Sequence, residues 1–209
     1  MKDSRTDGMS IFDKHVAFWG SAFSNFYPCK IHVGKNWDNE PVDIDFHCSE
    51  QYFMWLKATW FHDYDIAEQI LHAKTPKEAK ALGRQVEGFD DEEWATVREI
   101  AMYTAVYAKF SQNEDLKEFL LSDEFKDKGF VEGSPIDGIW GVKIHYTSPN
   151  IDDENNWEGL NLLGKVLDGV REQLASEDDG DSYKEQEFER ANNSLSDSQL
   201  FDGAMMACM

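Results

Sequence analysis

The sequence predicts an α+β fold: a predominantly helical single domain with a few short strands. Three observations carry this expectation. Apolar residues recur at helical spacing through most of residues 50–174. Short alternating stretches lie ahead of them, at 16–19, 30–33 and 42–46. The 209 residues, 41% of them hydrophobic, suit one domain with a real core.

The elements follow in chain order. Residues 1–13 read as a polar lead-in, 14–174 as the domain and 175–209 as an acidic tail. Residues 16–19 and 23–28 read as strand, turn and strand, with Pro28 as the stop. Two further strands, 30–33 and 42–46, flank Gly34-Lys35-Asn36. A helix over 50–61 carries Phe53, Met54, Leu56, Trp60 and Phe61, and a shorter one covers 67–73. Thr75-Pro76-Lys77-Glu78 is a helix start: Thr75 caps, Pro76 suits the first helical position and Glu78 reaches back to the cap amide. That helix ends near Gly83-Arg84. Asp90-Asp91-Glu92-Glu93 opens a long helix to Phe110, with Trp94, Val97, Ala101, Ala105 and Ala108 on one side. A helix over 114–122, strands at 130–132 and 138–140, and a last helix over 159–174 complete the domain. The last helix buries Leu162, Leu163, Val166, Leu167 and Val170. Residues 176–209 hold nine acids and two bases with few large apolar side chains, so this tail is expected to stay disordered.

Charge and cysteines bound the function. A net charge of −21 disfavours non-specific binding to nucleic acid or anionic membranes, since both need a basic face. Three widely spaced cysteines without a CxxC exclude a disulfide framework and the usual zinc patterns. The six histidines form no ligand spacing, and neither a Walker nor a dinucleotide glycine loop is present. No cofactor and no metal are expected. The N-terminal residues lack an apolar run, so the expected place is the cytoplasm, with no membrane partner.

Several residues bear chemistry. Glu50 and Lys57 lie two helical turns apart, on nearly the same face, with Phe53 and Met54 between them. If that face lines a pocket, desolvation raises the carboxyl pKa and lowers the amine pKa, as proton transfer and amine nucleophilicity require. A solvent-exposed surface pair would have the same spacing. Arg84 offers a planar fork for phosphate. The run from Gly133 to Gly141 gathers small residues and turn formers around Asp137 and Trp140, so backbone can approach a ligand there. Asn161 stands near the start of the last helix, where amides favour anions.

Taken together, these segments resemble the NADAR superfamily, which includes the YbiA-like proteins. The pieces occur in family order from about Phe18 to Leu174: Phe23-Ser24-Asn25-Phe26-Tyr27, Ser49-Glu50-Gln51-Tyr52 with Lys57, Ala79-Lys80-Ala81-Leu82-Gly83-Arg84, Trp94 with Met102 and Lys109-Phe110, Glu132-Gly133-Ser134-Pro135-Ile136-Asp137 with Trp140-Gly141, and Gly159-Leu160-Asn161-Leu162-Leu163-Gly164 with Arg171. The chain departs from the family pattern at Gln51, usually His, and at Lys143, usually Gly.

The resemblance implies hydrolysis of an N-glycosidic bond. It implies two substrate classes: ribosylamino-pyrimidine phosphates of riboflavin synthesis, and ADP-ribose on guanine in nucleic acid. By it, Glu50, Trp94 and Asp137 map to functional positions, with Lys57 in the same motif. The expected catalytic residues are Glu50, Lys57 and Asp137. The expected substrate contacts are Phe18, Asn25, Arg84, Trp94, Trp140 and Asn161. The expected partner is a phosphorylated ribosylamine or an ADP-ribosylated nucleoside, with nucleic acid only as a modified substrate. Both substrate classes are glycosylamines, so Lys57 attacking C1′ to give a Schiff base and direct attack by water are both open routes. A non-catalytic ADP-ribose sensor is the reading from another class.

Overall fold

The computed structural model describes residues 3–178. In chain order the elements are β1 (Met9–Ile11), β2 (His15–Phe18), β3 (Ile31–Lys35), β4 (Pro41–Phe46), α1 (Ser49–Trp60), α2 (Tyr64–His72), α3 (Pro76–Gly83), α4 (Asp91–Ser111), α5 (Glu114–Leu120), β5 (Gly129–Glu132) and α6 (Leu162–Asp178). This is the expected α+β domain.

Two small sheets frame the helices. β2 lies between β1, antiparallel to it, and β5, parallel to it. β3 and β4 form a separate antiparallel hairpin. Alternation decides what the three-stranded sheet buries. Val16, Phe18 and Phe130 face the main core, where Leu163, Val166, Leu167 and Val170 of α6 meet them. Ala17 and Val131 face the other way, onto Val142 and Ile151. Burying each such large side chain contributes about 1.5–3 kcal/mol. The long crossover between β2 and β5 carries α1 to α5, and α1 packs against α2, α3 and α4.

The helix signals hold locally. Thr75 Oγ1 accepts from the Glu78 amide at 3.1 Å, while Glu78 reaches back to the Lys74 amide, one residue earlier than expected. Trp94, Val97, Ala101, Ala105 and Ala108 of α4 are all buried.

Four expectations are corrected. Residues 23–28 are turns, not a strand: Ser21 and Ser24 hydroxyls accept from the amides of Phe23 and Phe26 and supply the bonds that a sheet neighbour would have given. Residues 138–140 are not a strand either, because Asp137 Oδ1 accepts from the amides of Ile139 and Trp140. The last helix begins at Leu162 rather than 159. Asn161 has φ of 51°, and the Leu160 and Leu162 amides donate to Gly138 and Ile139 carbonyls. Residues 1–13 are not merely a lead-in, since β1 pairs with β2 and Arg5 donates to the Asp115 carbonyl. The acidic tail falls outside the described residues from 179 onward, and α6 runs to Asp178. No helix among the described residues is long and apolar enough to cross a membrane.

Candidate active site

The site is organised by the first turn of α1. The Cys48 thiol accepts from the Gln51 amide and caps the helix. Ser49 Oγ donates to Asn25 Oδ1 at 3.1 Å, and the Glu50 amide donates to the Asn25 carbonyl at 3.0 Å. Beneath this turn the buried Lys109 donates to the Ser24 carbonyl at 2.8 Å, and burial pushes its pKa down to about 8. Asn25 is thus a brace for Glu50. Its amide nitrogen lies 3.0 Å from the Met102 sulfur.

Glu50 is 4% exposed. Its Oε1 has no hydrogen-bond partner among the described residues, and Lys80 Nζ of α3 stands 3.8 Å away. Burial raises the Glu50 pKa. Lys80 opposes the shift, Asp137 adds to it and Arg84 opposes it. Asp137 therefore lies in the electrostatic reach of Glu50. It is held by its own amide, which donates to Ser134 Oγ, and by the two amides that donate to Oδ1 at 2.9 Å. A third carboxylate joins them. Glu132, at the end of β5, has a buried Oε2 without a hydrogen-bond partner among the described residues. Burial first, then the charges of Asp137 and Glu50, push its pKa up to about 8 against the pull of Lys80.

Lys57 does project from the same side of α1 as Glu50, towards α3, but it does not pair with Glu50. Its Nζ donates to the Gly83 carbonyl at 2.9 Å and sits 3.8 Å from the Phe89 ring centre. Two turns of helix put about 10.5 Å of rise between the two residues. Burial lowers the Lys57 pKa, with Asp91 opposing. Gly83 is where α3 touches α1, since a side chain there would run into Met54.

Aromatic rings connect the two ends. Phe53 lies between Trp94, 5.6 Å away, and Trp140, 5.3 Å away and edge-on, while Phe61 joins Trp94 to Phe89. Trp94 is 6% exposed and forms a wall, whereas Trp140 is half-buried. Arg84 caps α3, exposed, with its charge acting on Glu50.

Two expected contacts lie elsewhere. Phe18 is fully buried against Phe23, and its carbonyl accepts from the Gly133 amide, so it supports the Asp137 loop from behind. Asn161 uses both amide ends on β5: Oδ1 accepts from the Glu132 amide and Nδ2 donates to the Phe130 carbonyl. Arg171 is likewise structural, donating to the Phe125 and Lys128 carbonyls and to Asp168. A cleft of about 550 Å³ opens on the opposite side of α1, lined by Trp37, Trp55, Trp60 and Glu68, and it contains none of Glu50, Glu132 or Asp137.

The sequence reading missed Lys80 and Glu132. Lys80 looks like any exposed helix lysine. Glu132 carried one signal: it follows Phe130-Val131 in a short strand and precedes a Gly-Ser-Pro turn, where an acid has no reason to be buried unless it is used.

The order and spacing of these pieces are those of one family, whose model, the NADAR domain, matches residues 12–175. This chain belongs to the NADAR family. Among NADAR relatives, it is 40% identical over 183 residues to Protein irg-1 of Caenorhabditis elegans, covering 82% of this chain and 84% of that one. It is 34% identical over 169 residues to an N-glycosidase of Acanthamoeba polyphaga mimivirus, covering 77% and 96%. It is 32% identical over 152 residues to a riboflavin biosynthesis protein of Vibrio vulnificus, covering 72% of this chain but 35% of that longer one. The solution structure of Escherichia coli YbiA superposes with a TM-score of 0.60 at 29% identity, over 84% of this chain and 93% of that one.

The two departures from the NADAR pattern have structural explanations. Gln51 is buried, accepts from the His47 amide and donates to the Ile70 and Leu71 carbonyls, so it ties α1 to the end of α2. Lys143 has φ of 60°, the left-handed region that glycine occupies without strain.

Proposed function

We propose that this NADAR chain is an N-glycosidase that cleaves the bond between C1′ of a phosphorylated ribose and an exocyclic amine of a nucleobase-like compound. The observation that carries the reading is the buried Glu50 carboxyl, whose Oε1 accepts no hydrogen bond among the described residues and faces the Lys80 ammonium at 3.8 Å, with the Asp137 charge acting on it. Burial raises the pKa of this carboxyl, the direction that suits a group exchanging protons with a substrate. N-glycosidase activity in a relative covering 77% of this chain supports the same reaction type, and the riboflavin biosynthesis relative supports a ribosylamino-pyrimidine phosphate as substrate.

In this reading Glu50 shuttles protons and Asp137 offsets the positive charge that develops at C1′ or holds ribose hydroxyls. Trp94 and Trp140 bound the base. Arg84 and Lys80 meet the phosphate. Lys57, its charged form disfavoured by burial, attacks C1′ as a free amine and displaces the base through a Schiff base. The second reading is removal of ADP-ribose from guanine, which cleaves the same kind of bond. Ile136, 84% exposed next to Asp137, leaves that edge open to a larger leaving group. The cytoplasm fits either reaction, and its reducing conditions fit Cys29 and Cys48, both free thiols.

The test is incubation with a ribosylamino-pyrimidine phosphate and with ADP-ribosylated guanosine, reading released base and sugar phosphate by mass spectrometry. Glu50→Ala should lower turnover at least about 100-fold. Borohydride should trap a sugar adduct on Lys57, and Lys57→Arg should be inactive. An active Lys57→Arg enzyme sinks the Schiff base and leaves attack by water. Tight binding of ADP-ribose without turnover of either compound would make the protein a sensor.

A further inference from the structure

Glu132 has no part in the steps above, yet its backbone is tied on both sides. Its amide donates to Asn161 Oδ1 and its carbonyl accepts from the Val142 amide, so β5 fixes its backbone on both sides. The charges of Asp137, Lys80 and Glu50 act on its carboxyl, and the Glu132 and Asp137 backbones meet at Gly141, where a side chain would run into both their carbonyls.

Glu50 and Glu132 each bury a carboxyl oxygen that has no hydrogen-bond partner among the described residues, and with the Asp137 charge acting on both they are not both ionised. Their partners decide which one keeps a proton. Asp137 Oδ1 is satisfied by two backbone amides. Glu50 has the Lys80 ammonium 3.8 Å away. Glu132 Oε2 has neither a donor nor a cation paired to it among the described residues. A buried oxygen with no donor to satisfy it is the natural place for the proton.

We propose that Glu132 is the general acid of this site, holding a proton at neutral pH and giving it to the departing amine. As the C1′–N bond breaks, its electron pair moves onto nitrogen and the Glu132 proton joins it, releasing a neutral amine. Water adds to C1′ and its proton passes to the Glu50 carboxylate. Transfer from Glu50 to Glu132 restores both groups. The amine needs the same proton if Lys57 displaces it first. The inference rests on the N-glycosidase reading.

The experiment compares wild type with Glu132→Gln, which keeps the shape of the neutral acid without a proton to transfer. Turnover of both compounds is measured, with Tm recorded against pH and binding of ribose 5-phosphate as a check on the pocket. Turnover should fall at least about 100-fold, with sugar binding unchanged. The Tm comparison has a definite sign. A carboxyl raised from 4.5 to about 8 binds its proton more tightly in the folded state, so wild-type stability should drop as pH rises through that window. Glu132→Gln lacks this drop, so its Tm should gain on wild type across the same interval. Glu132→Gln turning over like wild type, or a Tm difference independent of pH, overturns the proposal. If the variant does not fold, the ¹³Cδ titration of Glu132 in wild type replaces the Tm series, and an ordinary carboxylate midpoint overturns it. Wild type inactive on both compounds brings down the glycosidase reading and the transfer step with it, while the titration separately reports where the proton sits.

Discussion

Asp137 does two separable things. Its oxygen organises a loop by accepting two amides, and its charge raises the pKa of both Glu50 and Glu132. Asparagine keeps an acceptor at the same place but loses the charge. Asp137→Asn should therefore fold with nearly wild-type Tm, while the alkaline limb of its residual pH–rate profile moves to lower pH, because both glutamates then give up their protons sooner. A limb that stays in place would mean that Asp137 does not govern the titration. At this scale the sequence was half legible. Glu50 and Asp137 sit in segments whose composition already suggested a site. Lys80 and Glu132 acquire meaning only when α3 and β5 are brought against α1, and no periodicity within their own segments encodes that meeting. Phe18, Asn25 and Asn161 show the converse: residues of the family pattern whose observed contacts are with the surrounding core and backbone.

At the scale of elements, the separation of α1 and α3 sets the distance between Glu50 and Lys80. Gly83 makes the close approach, because a methyl group there would meet the Met54 side chain from Cβ to Sδ. Gly83→Ala should push α3 away from α1 wherever the Met54 side chain does not give way, because the Met54 sulfur stands inside van der Waals contact of the new methyl. The overpacking outweighs the better helix propensity of alanine and leaves a net cost of about 1 kcal/mol. Chemical denaturation reads the stability, and kcat should fall several-fold as Lys80 withdraws. A stable variant with unchanged kcat would show that Met54 swings aside. The helices themselves were legible from their stripes and caps, since burial of a helical face leaves a period in the sequence. The turns at 23–28 and 138–140 were not. Serine and aspartate side chains there take backbone amides, and this local competition overrides residues that would otherwise suit strands.

Over the whole molecule, the formal charge of −21 sets the long-range field. Such a chain repels itself and repels polyanions. Raising ionic strength from about 0.01 M to about 0.15 M shortens the screening length from about 30 Å to about 8 Å, so Tm should rise. Over the same interval, KM for an ADP-ribosylated oligonucleotide should fall, the reverse of an ordinary nucleic-acid enzyme. KM for the small ribosylamine phosphate should change far less. A KM that rises with salt would reveal a cationic track on the surface.

The parallel pairing of β2 with β5 joins residues far apart in the chain, such as His15 and Gly129. Glu50 is made early and Asp137 late, and the carboxylates meet only after that pairing closes the crossover. Contacts so distant in sequence form slowly. During synthesis the proposed site is therefore incomplete until residues beyond 140 have left the ribosome. On the proposed assignment an emerging or truncated chain should be chemically silent, with activity switching on as a by-product of finishing the sheet.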